Sequence, residues 1–413
     1  MRIERLRTEA TNEGRRVAAD VIWENFDQAA GTLVVETTEP FASKLEPSAD
    51  AFLVGLLPSA QWHGEKRIRI EGSISPRLRD GLSAVTELFS IVHGCKAIRI
   101  EAGGGFIPTV ELAAPRAACF MSGGIDALSL LRANRLDYPE GHPASIRDCV
   151  FLFGLNTYDF DSSGHNEQRL DVSRAYRSRL ELFSDGVGAT LVPMHTNIRS
   201  FYRDWQCWMH VGYGAGTIFS ALCLPGRISR VEIGSAGLGI MIPPEGSHPW
   251  IDPDYSTETI TVHHAQTVLN RLEKTRIVAD WTEGMSVLRS CYYRSIPRNG
   301  LINCGECEKC IRTMLALAAL GKLNEAPTFP TRDVTAAMVD SLNMESNNDR
   351  MYLLQCREPL KSSGRVDLVA AIDRKISRYR REVRKQRLLA RARSIVGRRL
   401  PPPFSTESVR SRP

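Results

Sequence analysis

At 413 residues, with 43% hydrophobic and 24% charged side chains, the chain has a globular composition and is too long for one ordinary core, so two domains with an appendage are expected. No window approaches the roughly 20 apolar residues that span a bilayer, and the opening MRIERLRTEATNEGRR lacks the apolar stretch of a signal peptide, so a cytoplasmic location is expected. The net charge of +6 is local: twelve Lys/Arg and one acid lie between Arg374 and Arg399, about +11, which leaves the remainder at −5.

In chain order, residues 1–112 alternate short β-like runs (VAADVIWE, TLVVETT, KRIRIEG, AIRIEA) with one well-marked helix starting at Ser75-Pro76. Its apolar face is Leu78, Leu82, Val85, Leu88, Phe89 and Val92, and Gly94 ends it, so a small N-terminal α/β domain is expected. The triple glycine 103–105 reads as a loop, because a proline and no helix follows it. From about 116 to 322 the pattern alternates strand and helix, as in a parallel sheet, with strands RAACFM, DCVFLFG, GATLVPMH and RVEIGSAG. Ligands of open α/β sheets collect beyond the carboxyl ends of strands. The predicted site therefore comprises Ser122–Asp126, Gly154-Leu155, Met194–Asn197 and Gly234-Ser235.

Within it, CFMSGGIDALSLL (119–131) reads as strand, tight loop and helix. Glycines let the backbone approach a ligand, and the first amides of the helix favour an anion. The plain alternative is an ordinary turn in which Asp126 caps the helix. The patterns GYGAG (212–216) and GSAGLG (234–239) fit a dinucleotide fold poorly, and a Walker A ending is absent. RLEKTRIVADW (271–281) reads as a short helix whose Lys274 either reaches a phosphate or is a solvated surface lysine.

Ten cysteines divide into two sets. Cys95, Cys119, Cys149, Cys207, Cys223 and Cys356 sit in apolar segments and read as buried thiols. Cys291, Cys304, Cys307 and Cys310 are spaced C-x12-C-x2-C-x2-C, with Gly305 at the turn and Cys310 in the first turn of a helix running to about Leu320. Four thiolates make a closed, structural zinc site, with an iron–sulfur cluster or free thiols as the alternatives. At the C-terminal end Ile372, Ile376, Tyr379 and Val383 form an apolar stripe on a basic helix. The stripe would dock on the body, and the basic face would meet nucleic acid, an anionic membrane or a protein partner; the alternative is a solvated helix followed by a disordered PPPFSTESVRSRP.

The loop SGG-x-D followed by a helix resembles the pyrophosphate loop of the PP-loop (N-type) ATP pyrophosphatases, whose core is a parallel-sheet, adenine nucleotide α-hydrolase-like domain. With KT-x-I-V at 274–278 and SCY…CG-x-C-x-x-C-x-R at 290–312, the chain resembles the 7-cyano-7-deazaguanine synthase branch over roughly 116–320, and HNEQRLDVSRA (165–175) loosely resembles a further helix of that branch. The family loop ordinarily ends in Ser where this chain has Ala127, the Cys291–Cys304 spacing is longer, and GSHPWIDPDYSTETI (246–260) replaces the base-recognition segment. The resemblance implies an accessory α/β domain (1–112), a PP-loop domain with a zinc knuckle (113–325) and a helical basic tail (326–413). It implies an ATP-dependent, AMP-forming ligase that adenylates a carboxylated acceptor for amidation or nitrile formation. Ser122, Gly123, Gly124, Ile125 and Asp126 would hold pyrophosphate and Mg²⁺, Lys274 would neutralise developing charge, and the strand ends at Gly154 and Met194 would receive the adenosine. A PP-loop sulfurtransferase or tRNA-modifying enzyme, and a non-catalytic zinc scaffold such as a component of antiphage defence, are the other readings. The acceptor is open, and a homodimer is compatible with all three.

Overall fold

The first strands form because β-branched and apolar residues alternate with polar ones: in GTLVVETT, Leu33, Val35 and Thr37 are buried and their neighbours are not. The computed structural model describes residues 1–108, 116–155, 167–236, 243–291, 301–344 and 347–395. The helix-carrying segment 165–175, the GSAGLG pattern and the end of the basic tail lie wholly or partly outside the described residues.

The strands are β1 (Arg2–Ala10), β2 (Gly14–Ile22), β3 (Gly31–Thr38), β4 (Arg67–Ile70), β5 (Arg99–Ala102), β6 (Ala117–Phe120), β7 (Ile146–Phe153), β8 (Thr190–Thr196), β9 (Arg230–Gly234) and β10 (Thr261–Ala265). They make one sheet of ten described strands in the order β10-β9-β6-β7-β8-β3-β2-β1-β4-β5. From β10 to β8 every pairing is parallel. The pairs β8–β3, β3–β2 and β2–β1 are antiparallel, and β1–β4 and β4–β5 are parallel. The α/β class is as expected, with a mostly parallel sheet in place of an all-parallel one; β1 and β10 were not among the predicted strands.

The helices are α1 (Ala49–Trp62), α2 (Pro76–His93), α3 (Ile125–Asp137), α4 (Glu167–Gly186), α5 (Trp205–Cys207), α6 (Tyr213–Leu222), α7 (Arg271–Ala279), α8 (Thr282–Val287), α9 (Glu308–Ala319), α10 (Ala336–Ser341), α11 (Asn347–Ser362) and α12 (Val366–Ile395). The predicted N-terminal helix is α2, capped by the Ser75 side chain and ended by Gly94 at φ +69°. Val92, assigned to its apolar face, is instead 37% exposed. Helix α1 was missed because ADAFLVGLLPSAQW is buried nearly all round, so no polar face marks a helical period. It packs against α6, and Tyr202 donates to its Gly55 carbonyl at 2.6 Å.

Residues 1–304 and 325–330 form one compact unit, and 305–324 and 331–413 a second. The boundary expected near residue 112 therefore falls inside the first unit. Its physical reason is the β3–β8 seam, where Thr37 Oγ1 donates to Pro193 O at 2.6 Å and Thr196 Oγ1 to Val34 O at 2.7 Å. Asn197 adds two more bonds, accepting from Val34 N–H at 2.9 Å and donating to Thr32 O at 2.8 Å. In the second unit, Ile372 and Ile376 of α12 are buried, whereas Tyr379 and Val383 are half-buried and residues 384–389 are exposed. The stripe is thus core of this helical unit over its first half; α10 and α11 pack on α12, and Arg374 pairs with Asp340 at 2.7 Å. Among the described residues no helix is long and apolar enough to cross a membrane.

Burial raises the Asp50 carboxyl to about 6, the neighbouring Glu258 charge pushes the same way, and the Ser75 amide, donating at 2.8 Å, opposes both. A raised carboxyl is no burden below its unfolded pKa of about 3.9; the cost develops as pH rises from there towards about 6 and is complete above it. Asp50→Asn keeps an acceptor for Ser75 and is expected to stabilise the fold by roughly 1–3 kcal/mol at pH 8 and not at pH 4, as read by thermal melts at both values.

Candidate functional site

From β6 the chain steps through α3 to β7 and through α4 to β8, and then crosses to the other side of β6 to lay down β9 and β10. The reversal puts a topological switch point at the carboxyl ends of β6 and β9, where a crevice opens in sheets of this kind. The SGG loop occupies that position. Gly124 is the N-terminal cap of α3, in extended conformation, and the first intrahelical bond is Leu128 N–H to Gly124 O at 3.0 Å, so the amides of Ile125, Asp126 and Ala127 precede the helical ladder. Ser122 is exposed and its Oγ accepts from Gly124 N–H at 3.3 Å.

The loop is held from behind. Gly123 has φ +72°, and a Cβ there would fall 1.6 Å from the Tyr176 hydroxyl. That buried hydroxyl lies 2.9 Å from Val287 O and 3.3 Å from Ser122 O, donating to both. Arg289 donates its amide to Gly123 O at 2.8 Å and lays its guanidinium over the Tyr176 ring at 4.7 Å. Gly123→Ala must therefore strain the backbone and collide with Tyr176. It is expected to cost about 2–4 kcal/mol of stability, part of it recovered in Gly123→Ala/Tyr176→Phe, as measured by denaturant melts.

Asp126 does not cap the helix, which carries no side-chain cap bond. It turns toward α7, where Arg271 reaches Oδ2 at 2.5 Å and Lys274 Nζ lies 3.6 Å from Oδ1. Oδ1 itself is buried and makes no hydrogen bond among the described residues. The surface-lysine alternative is overturned: Lys274 is fully buried, its ammonium also donating to Ser235 O, and burial pulls its pKa down while Asp126 opposes the shift. Beside them Gly234 lets the end of β9 approach α3; a Cβ there would lie 2.8 Å from Asp126 O. The switch point thus brings together Ser122, Gly123, Gly124, Ile125, Asp126 and Lys274.

The adenosine expectations fare differently. Gly154 ends β7 at φ +99°, and a Cβ would fall 1.8 Å from Thr196 O, so the pinch between β7 and β8 already demands glycine. Met194 is 3% exposed and belongs to the hydrophobic core, so its side chain is not available at the strand end.

The four cysteines 291, 304, 307 and 310 converge, their Sγ atoms all within 4.8 Å of one another. A tetrahedral ion with Zn–S of about 2.3 Å needs sulfurs roughly 3.8 Å apart, which this cluster reaches by small rotations. Gly305 at φ +78° makes the turn, Cys307 is the N-terminal cap of α9, and Cys310 lies in its first turn, where the helix dipole favours a thiolate. Fully buried Asn303, which sequence reasoning missed, holds Cys291 in place: its Oδ1 accepts from Ser290 and Cys291 amides at 2.8 and 3.1 Å, and its Nδ2 donates to Leu288 O at 2.8 Å. Arg271, Tyr176 and Arg289 were missed as well; only Arg271, one helical turn before Lys274, had a spacing that could have shown it.

These features define an α/β protein with a glycine loop and helix N-terminus at its switch point and a four-cysteine cluster downstream. Comparison with protein-family models, curated proteins and solved structures finds no match for the chain.

Proposed function

We propose that the chain is an ATP-dependent, AMP-forming ligase of the PP-loop class, acting in the cytoplasm on a carboxylated acceptor. The observation that carries this reading is the fully buried Lys274, paired with half-buried Asp126 beside a glycine loop and a helix N-terminus at the switch point. A buried ammonium costs free energy that a purely structural lysine would avoid by reaching solvent. In the crevice its charge faces little competing water and opposes the negative charge that develops on a departing pyrophosphate.

In this reading an acceptor carboxylate oxygen attacks the α-phosphorus of ATP and pyrophosphate leaves. A nitrogen nucleophile then attacks the acyl carbon and AMP leaves with the oxygen. The amides of residues 125–127, the Ser122 hydroxyl and Lys274 hold the β,γ-phosphates. Asp126 Oδ1, buried and without a hydrogen bond among the described residues, would hold Mg²⁺, which would supply positive charge against the phosphates, while Arg271 occupies the other oxygen. The cysteine cluster suits Zn²⁺ with all four positions filled by sulfur, hence a structural ion. The exposed basic face of α12 would serve a polyanionic partner.

A sulfurtransferase is disfavoured because it needs a reactive thiol. Cys119, Cys149 and Cys207 are fully buried, and Cys149 hydrogen bonding together with burial pushes Cys119 well up. A nucleotide-binding scaffold is the second reading, favoured by Ala127, which lacks the hydroxyl of the family loop. The test is product analysis: with Mg²⁺-ATP and a panel of carboxylated acceptors plus ammonia, AMP and pyrophosphate should appear together. ADP as the product would sink the PP-loop reading, and tight ATP binding with no turnover on any acceptor would favour the scaffold.

A further inference from the structure

We propose that His63, Asp204 and Cys207 form a second metal site, for a zinc-class divalent cation, separate from the four-cysteine cluster. One ring nitrogen, one carboxylate oxygen and one Sγ lie within 4.8 Å of one another. Around a tetrahedral zinc such atoms sit roughly 3.3–3.8 Å apart, so the site closes with adjustments of about an ångström.

The donors come from two places far apart in the chain. His63 caps the C-terminal end of α1, and its ring is fixed by stacking on Phe26 at 4.0 Å and by an edge contact with Trp23 at 5.7 Å. Asp204 caps the N-terminus of α5, with Oδ1 accepting the Cys207 amide at 2.5 Å, which leaves its other oxygen for a ligand. The independent sign of a missing partner is His63 Nε2, buried and without any hydrogen bond among the described residues. A bare buried ring nitrogen is costly, and a cation satisfies it.

The donor set selects the ion. Nitrogen and sulfur donors disfavour Mg²⁺ and Ca²⁺, which prefer all-oxygen shells, and one thiolate, one imidazole and one carboxylate suit Zn²⁺. On binding, the Cys207 thiol gives its proton to solvent, so two anionic ligands balance a dication. Cys207 is fully buried and Asp204 is exposed, so the fourth position opens on the Asp204 side, where water completes the shell.

The test uses the full chain, stripped with chelator and titrated with Co²⁺, whose visible bands report its ligands, and then with Zn²⁺. His63→Gln should bind one equivalent fewer than wild type, whether or not the four-cysteine cluster also fills. Asp204→Asn keeps an oxygen to cap α5 and sits on the surface, so it should fold while binding the same ion at least about tenfold more weakly. Equal stoichiometry in wild type and His63→Gln overturns the site, as does unchanged Co²⁺ affinity in Asp204→Asn. Should His63→Gln not fold, the Asp204→Asn titration decides alone.

Discussion

Lys274→Met is expected to cut AMP and pyrophosphate formation by a factor on the order of 10²–10³ while leaving the melting temperature unchanged or higher. The two halves of this result have separate causes. The ammonium is fully buried, 3.6 Å from Asp126 Oδ1, and burial already lowers its pKa, so the fold bears a desolvation cost for keeping it charged. Methionine fills the same volume without that cost, and Arg271 continues to satisfy Asp126. What the variant loses is the fixed positive charge beside the glycine loop. Asp126→Ala should behave oppositely on stability, because it strands a buried ammonium, and it should also weaken Mg²⁺-ATP binding. Melting curves and radiolabelled-ATP product assays on both variants separate the roles. Wild-type AMP formation by Lys274→Met would remove Lys274 from the chemistry and leave it a structural residue.

Cys304→Ser and Cys307→Ser are each expected to carry one zinc fewer per chain than wild type and to melt roughly 10 °C or more lower. Metal binding is folding free energy at such sites, on the order of 10 kcal/mol in small zinc domains, and with an unfolding entropy of about 2.1 cal/mol/K per residue a loss of that order moves the midpoint of a chain of this size by roughly 10 °C. Both residues lie close to the left-handed Gly305, and Cys307 caps α9, so the loss should also expose residues 301–310 to protease. Elemental analysis, melting and limited proteolysis check the three consequences. Iron in the purified protein, or serine variants with wild-type metal content and melting, would overturn the zinc assignment. Asn303→Ala offers an internal comparison: it leaves all four thiols but frees the Cys291 and Ser290 amides, and should weaken metal binding without abolishing it.

Much of this architecture was readable before any coordinates. Strands β6 to β9, helix α2 with its Ser75 and Gly94 ends, the strand–loop–helix at the glycines and the start of α9 all follow from local signals: apolar runs, turn residues and caps a few positions apart. The cysteine cluster is likewise written in spacing, since its donors 304, 307 and 310 lie within two turns of chain. The tertiary structure decided what depends on partners distant in sequence. Helix α1 has no polar face to betray its period because neighbours cover it on all sides. The strands of the expected N-terminal domain joined the main sheet because Thr37, Thr196 and Asn197 happen to satisfy backbone groups some 160 residues away. Lys274 looks like any exposed helical lysine in RLEKTR. It is buried because α7 packs on α3, which brings Asp126 and the Ser235 carbonyl to its ammonium, and no pattern within eleven residues can encode that contact.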